Sequence, residues 1–116
     1  MFEGASVLSV DAKGRIAIPT RYRDALMEAS GGRLHITRHF QEDCLLLFPE
    51  TEWSTFRERV AAWPMSAAWQ KRIVLSNAVA LEMDASSGRI LISPELREAS
   101  SMGKDALLLG NGSHFE

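Results

Sequence analysis

One segment of this chain occurs twice, 74 residues apart, and this repeat constrains the fold more than any other feature of the sequence. Residues 15–25 read RIAIPTRYRDA, and residues 89–99 read RILISPELREA. The copies match at six positions, which are Arg15 with Arg89, Ile16 with Ile90, Ile18 with Ile92, Arg23 with Arg97, Asp24 with Glu98 and Ala25 with Ala99. We therefore predict two halves related by a pseudo-two-fold axis, with the four isoleucines buried in one shared core.

Each copy belongs to a unit that the sequence predicts to be strand, turn, strand and helix. Residues 7–10 and 16–18 are short and rich in β-branched side chains, which is typical of strands with one buried face. Between them, Asp11 can accept hydrogen bonds from turn amides, and Gly14 can take a positive φ without a β-carbon penalty. We therefore predict a hairpin with its tip at residues 11–14.

A short helix is predicted after each hairpin. In the first copy it runs from residue 20 to about residue 29 and ends at Gly31, because glycine readily adopts the left-handed conformation that terminates a helix. In the second copy Ser93 is the predicted N-cap and Pro94 the first helical residue. The two halves are thus expected to share one order of elements.

The rest of the chain is predicted to complete a single domain. Further strands are predicted at residues 34–38, 44–48 and 106–109. Residues 50–75 instead place apolar side chains at helical spacing, which indicates two amphipathic helices joined near Pro64. Neither helix can bury a core alone. We therefore expect one domain over residues 1–116, made of repeats at about 1–49 and 76–116 with a helical connection between them.

Composition indicates a domain that is held together by packing. The chain has 116 residues, of which 46% are apolar, and this is enough for a core of its own. Cys44 is the only cysteine, so no internal disulfide can form. The first residues lack the pattern of a signal peptide, and no apolar stretch approaches the roughly 20 residues that span a bilayer. We expect a cytoplasmic protein that does not insert into a membrane.

Charge distribution leaves nucleic acid open as a partner. The net charge is −2, which does not itself indicate a nucleic-acid binder. Residues 1–40, however, contain six basic and four acidic side chains, so the positive charge is concentrated in the N-terminal part. The position of charge matters more than its sum for binding a polyanion.

Side chains of catalytic type form no recognisable constellation. His35 and His39 are four residues apart but fall in or beside a predicted strand, so we interpret them as structural rather than as metal ligands. Cys44 lies in an apolar run and is interpreted as a small core residue. The tryptophans are predicted to anchor the core or the helices, and they are Trp53, Trp63 and Trp69. Because nucleophile and nucleotide motifs are also missing, we expect no enzyme, cofactor or metal.

The turn from Asp11 to Arg15 is the strongest candidate for a functional site. Lys13 and Arg15 place two long cations on a backbone that a turn stiffens, and Asp11 can hold the guanidinium by a bidentate pair. A guanidinium in a fixed orientation is what reading a base edge requires. The alternative is an ordinary turn with solvated charges, and the similar turn at residues 84–89 weakens that alternative.

Blocks along the whole chain resemble the MraZ family of bacterial transcriptional regulators. In the family's order they are MFEG, DAKGRIAIPTRYR from Asp11, CLLLFP from Cys44, the pair Glu52-Trp53, and GRILISPELR from Gly88. The resemblance implies an α+β fold, the swapped-hairpin (double-split) β-barrel of AbrB/MazE/MraZ type, with two pseudo-symmetric halves and connecting helices. It also implies octamer-like rings that bind short direct repeats in promoters. Chains of the family continue past the position of Glu116.

In that family each half carries an Asp-x-x-x-Arg motif whose arginine lies on the DNA-binding surface. Asp11 and Arg15 match this motif. Asp84 and Arg89 are five apart, because the second loop has one extra residue, so we expect a looser pair and a phosphate-type contact from Arg89. The predicted DNA-binding residues are therefore Asp11, Lys13, Arg15, Asp84 and Arg89.

Two functions remain open from the sequence. The resemblance implies a sequence-specific repressor of the division and cell-wall gene cluster, associated with the nucleoid, with double-stranded promoter DNA and further copies of itself as partners. The alternative, from a different class, is an antitoxin-like module that captures a partner protein. The basic turns favour the first function.

Overall fold

The chain contains seven strands and four α-helices, and a computed structural model describes them over residues 1–116. Every strand pairing is antiparallel, so the chain is a mixed α+β domain. The elements are β1 (Ala5–Ser9), β2 (Arg15–Ala17), α1 (Thr20–Ser30), β3 (Arg33–Arg38), β4 (Leu45–Pro49), α2 (Glu50–Ala61), a 3-10 turn (Met65–Ala67), α3 (Ala68–Ser76), β5 (Val79–Glu82), β6 (Arg89–Leu91), α4 (Pro94–Ala99) and β7 (Asp105–Leu109).

Strands β1 and β2 of the first repeat pair with strands of the second repeat and not with each other. β1 pairs with β7, and β2 pairs with β6 so that Ile16 lies directly opposite Ile90. The predicted hairpin between residues 7–10 and 16–18 is therefore wrong as a strand ladder. Its tip forms as expected, but β1 and β2 then enter different ribbons. Cross-pairing places the apolar faces of both repeats over the same core, which two separate hairpins would not do.

The shared core predicted from the repeat is confirmed. Ile16, Ile18, Ile90 and Ile92 are 5%, 0%, 1% and 2% exposed, and all four belong to one hydrophobic cluster. Helix α1 covers that cluster through Tyr22 and Leu26, and α4 covers it through Leu96. Leu96 lies 74 residues after Tyr22, so matched positions of the two helices both reach the core.

A second, smaller cluster lies under the connecting helices. β3 pairs with both β4 and β5, and β4 is buried along its whole length. Side chains alternate along β4, so Leu45 and Leu47 belong to the shared core while Leu46 and Phe48 belong to the second cluster. β4 thus joins the two clusters, which explains why its sequence is an unbroken apolar run.

The tryptophans in the helical connection have different environments. Trp53 on α2 is buried as predicted, and Trp63 packs partly buried against the second cluster. Trp69 was predicted to be an anchor and is 54% exposed, so that prediction is wrong. The buried position of α3 is Val74, which fits the space beside Val60 of α2 within the second cluster.

The helix ends follow their predicted chemistry. Ser93 caps α4, since its Oγ accepts a hydrogen bond from the Leu96 N–H at 3.3 Å. Gly31 ends α1 with a φ of 64°, in the left-handed region. The longest helix, α2, has 12 residues, and none of the helices combines the length and apolar character needed to cross a membrane.

Candidate nucleic-acid interface

The β2–β6 ribbon presents two arginines on one outward face. Its register pairs Arg15 with Leu91 and Ala17 with Arg89, while Ile16 and Ile90 between them point into the core. Directly opposed residues of an antiparallel pair lie on the same face, and residues two apart along a strand do so as well. Arg15 and Arg89 are therefore diagonal neighbours, roughly 7–8 Å apart at the backbone.

The first turn holds Arg15 firmly. Oδ1 of Asp11 accepts hydrogen bonds from the backbone N–H groups of Lys13 and Arg15, both at 2.9 Å. Oδ2 of Asp11 accepts a hydrogen bond from Arg15 Nε at 2.8 Å. The expected bidentate pair is therefore wrong in detail, because one carboxylate oxygen is occupied by the turn backbone. The terminal nitrogens of Arg15 make no hydrogen bond within the chain.

Electrostatics agree with this geometry. The backbone hydrogen bond from Arg15 is the largest influence on Asp11, and together with the Arg15 side chain it lowers the pKa of Asp11 below its ordinary value of 3.8. Asp11 therefore stays ionised at neutral pH. Lys13 is exposed at the tip of the same turn, and the side chains of Arg15 and Asp11 are 35% and 37% exposed beside it.

The second turn uses its aspartate differently. Oδ1 of Asp84 accepts hydrogen bonds from the N–H groups of Ser86 and Ser87 at 2.9 and 2.8 Å, and from Ser86 Oγ at 2.8 Å. These bonds, the Ser87 backbone bond first, lower the pKa of Asp84 to about 2. Arg89 is exposed and makes no side-chain hydrogen bond within the chain. Asp84 and Arg89 are thus not a pair.

Two arginines that sequence reasoning did not place at the site lie against the turns. Arg97 lies over Gly14, and Arg23 lies over Gly88. Arg23 and Arg97 occupy matched positions of the repeat, and this match is the sequence signal that could have identified them. Their neighbours could not be read from the sequence, because each arginine contacts the turn of the other repeat.

The fold also brings Glu116 beside His39 and Cys44, and all three residues are of metal-ligating type. Ligand atoms of His39, Cys44 and Glu116 lie within 4.8 Å of one another. Burial, followed by the charge of Glu116, raises the pKa of the Cys44 thiol. His39 Nδ1 accepts hydrogen bonds from the N–H groups of Gln41 and Glu42 at 3.0 and 3.2 Å. That bonding leaves the proton on Nε2, so the ring in this state offers no free lone pair to a cation.

His35 has a packing role. Its ring stacks on Trp53 with the centroids 5.1 Å apart and the planes 6° from parallel. Burial lowers the pKa of His35, which keeps the ring neutral at neutral pH. The interpretation of this histidine as structural agrees with these contacts.

Comparison with known proteins points to one family. Residues 1–74 match the family model described as "MraZ protein, putative antitoxin-like". A protein named Transcriptional regulator MraZ from Acidovorax sp. (strain JS42) is 60% identical over 116 residues, which are 100% of this chain and 80% of that protein. Proteins of the same name from Variovorax paradoxus (strain S110) and Cupriavidus taiwanensis are 59% and 58% identical over the same shares.

Proposed function

This chain belongs to the MraZ family, and we propose that it is a transcriptional regulator that binds promoter DNA with the outer face of the β2–β6 ribbon. The observation that carries the proposal is the placement of Arg15 and Arg89 on one exposed face, with Lys13 at the adjoining tip. The major groove of B-DNA admits a two-stranded β-ribbon, and arginine is the side chain that most often reads its base edges.

The two arginines would contribute differently to binding. Asp11 fixes Arg15 through Nε and leaves the terminal nitrogens free, which suits a bidentate contact to the O6 and N7 atoms of guanine. Arg89 has no partner that fixes its direction, which suits a phosphate contact that is indifferent to sequence. Asp84 acts within its own turn and supports the backbone beside Arg89.

The cross-paired strands support a swapped-hairpin barrel as the framework of this surface. β1 and β2 flank the first turn, but they pair with β7 and β6 of the other repeat. Each two-stranded ribbon therefore contains one strand from each repeat. We propose that residues 1–49 and 76–116 form the two pseudo-symmetric halves of one domain, with residues 50–75 as the helical connection. The matched burial of both repeats in one core supports this division.

Self-association would multiply this contact. On the β1–β7 ribbon, Val7 lies opposite Leu107, and the two side chains are 77% and 57% exposed. Leu109 is on the same face and is also exposed. An apolar patch of this kind is typical of a protein–protein interface, and we propose that it joins copies of this chain into a ring. Linked sites raise avidity by about 10²–10⁴, so a protomer of net charge −2 can still bind DNA tightly.

The proposed role is repression of the division and cell-wall gene cluster from direct repeats in its promoter, in the nucleoid of the cytoplasm. The test is a gel-shift titration with DNA from upstream of the chain's own gene, at several salt concentrations. Binding should weaken steeply with salt, with log K falling by roughly 0.9 for each phosphate contact per tenfold increase in salt. Absence of a DNA complex at low salt would contradict the proposal and favour the antitoxin-like module.

A further inference from the structure

Each turn glycine is covered by an arginine from the opposite repeat. A β-carbon at position 14 would lie 2.6 Å from both Nε and Cζ of Arg97, so only glycine leaves room for that guanidinium. At the other turn, a β-carbon at position 88 would lie 2.7 Å from Cζ of Arg23. The two contacts are equivalent under the pseudo-symmetry of the repeat.

The backbone holds both arginines in place. Nε of Arg97 donates a hydrogen bond to the carbonyl of Ile92 at 3.0 Å, and the N–H of Ile92 donates one to the carbonyl of Gly14 at 3.0 Å. Ile92 thus holds Arg97 through its carbonyl and holds the turn of the other repeat through its N–H group.

The same pair of bonds occurs at the second turn. Nε of Arg23 donates to the carbonyl of Ile18 at 2.7 Å, and the N–H of Ile18 donates to the carbonyl of Gly88 at 2.8 Å. Arg23 and Arg97 are partly buried, and neither forms an ion pair within 4.0 Å. Their guanidinium groups are therefore held by backbone and packing, not by an acidic partner.

We propose that Arg23 and Arg97 are positioning residues that act crosswise. Arg97 fixes the turn at residues 11–15 and through it the direction of Arg15. Arg23 fixes the turn at residues 84–89 and through it the position of Arg89. A flat guanidinium can pack on the glycine of one repeat while its Nε–H donates a hydrogen bond to a backbone carbonyl of its own repeat, and a lysine cannot do both. The effect on DNA rests on the proposed function, whereas the effect on the turns does not.

The first experiment measures amide hydrogen exchange in the DNA-free protein. Arg97→Ala should speed exchange over residues 12–16 by roughly tenfold and leave residues 85–90 unchanged, and Arg23→Ala should do the reverse. Arg72→Ala, which removes an exposed cation on α3, is the control and should change neither turn. Faster exchange in the arginine's own repeat, or equal changes in both turns, would overturn the crosswise assignment.

The second experiment separates positioning from charge. Arg97→Lys and Arg23→Lys keep the charge, and they provide the measurement if an alanine variant does not fold. Each should speed amide exchange in the turn of the other repeat, as expected for the alanine variant, since lysine has no N–H group at the position of Nε. Wild-type exchange rates in the lysine variants would overturn the proposal, because charge alone would then suffice.

DNA binding provides the third readout. Arg97→Ala should reduce the preference for promoter over scrambled DNA, as expected for loss of Arg15, and Arg23→Ala should flatten the salt dependence, as expected for loss of Arg89. If Arg15→Ala itself leaves DNA binding intact, the proposed function fails while crosswise exchange still supports the positioning. If Arg15→Ala weakens binding and Arg97→Ala does not, the positioning role fails alone.

Discussion

The two turns of this chain share one backbone frame but use their aspartates in different ways. In both, the aspartate N–H donates to the arginine carbonyl, from Asp11 to Arg15 at 2.9 Å and from Asp84 to Arg89 at 3.0 Å. In the first turn the carboxylate also reaches the arginine side chain, at 2.8 Å. In the second, Oδ1 of the carboxylate accepts three hydrogen bonds from the turn that contains it, and none comes from the arginine side chain.

One extra residue accounts for this difference. Three residues separate Asp11 from Arg15, and its carboxylate spans the turn to Arg15 Nε. Four residues separate Asp84 from Arg89, and the longer loop offers the amides of Ser86 and Ser87 to the carboxylate instead. The spacing of aspartate and arginine therefore decides whether the acid orients the cation or closes the loop.

The largest expected effect concerns the core, where the two halves should be equal. Ile18→Ala and Ile92→Ala each remove a fully buried side chain from the same cluster, and each should lower the free energy of unfolding by about 2–5 kcal/mol. Chemical denaturation at matched protein concentration measures both. A small cost for one variant beside a large cost for the other would mean that the halves do not share the core equally.

The next effect should separate the turns. Asp11→Asn places an amide N–H group against Arg15 Nε, so the side chain should lose its fixed direction and discrimination between promoter and scrambled DNA should fall about tenfold. Asp84→Asn is the matched control and should leave discrimination near wild type, since the Asp84 side chain makes no hydrogen bond to the Arg89 side chain. Competition binding measures both variants. Equal losses would show that the turns act alike.

A smaller effect should follow from exchanging the loop lengths. Deletion of Ser87 restores the spacing of the first turn between Asp84 and Arg89, so a second fixed arginine should form and discrimination should rise a few-fold. Insertion of a serine after Lys13 is the reciprocal change and should lower discrimination. If both changes left discrimination as it is, loop length would not control the direction of the arginines.

The smallest effect is a dependence on pH. The pKa of Asp84 is lowered from 3.8 to about 2, and that of Asp11 is lowered as well. Because both carboxylates have a lower pKa when folded, the stability that they contribute is present above the unfolded value of 3.8. It is lost as the pH falls through the folded value, which for Asp84 is about 2. Carboxyl NMR titration should show this, and an ordinary pKa for Asp84 would contradict the closed loop.

Local sequence patterns predicted the elements of this fold better than their pairing. Helix ends at Gly31 and Ser93 followed from residue chemistry alone, and so did the burial of Ile18 and Ile92. The prediction that β1 pairs with β2 was wrong because a turn specifies only the tip of a hairpin. The pairing of the strands depends on where both repeats bury their apolar faces.

The candidate site was predictable where it depends on neighbours in sequence. The link between Asp11 and Arg15 spans four positions and could be anticipated from the turn. The contacts of Arg23 and Arg97 join each repeat to the turn of the other, and they depend on a cross-pairing of strands that local sequence patterns did not reveal. Trp69 was misplaced because helical spacing specifies a face, while the packing of α3 decides which face is buried.

The most direct measurement is the binding of Arg15→Ala and Arg89→Ala to promoter and scrambled DNA over a range of salt concentrations. Arg15→Ala should lose about 1–3 kcal/mol of discrimination per engaged protomer. Arg89→Ala should weaken binding to both DNAs equally and reduce the salt slope by about one unit per site. Specificity that survives Arg15→Ala and collapses with Arg89→Ala would reverse the two roles. Unchanged binding in both variants would remove the β2–β6 ribbon from the interface.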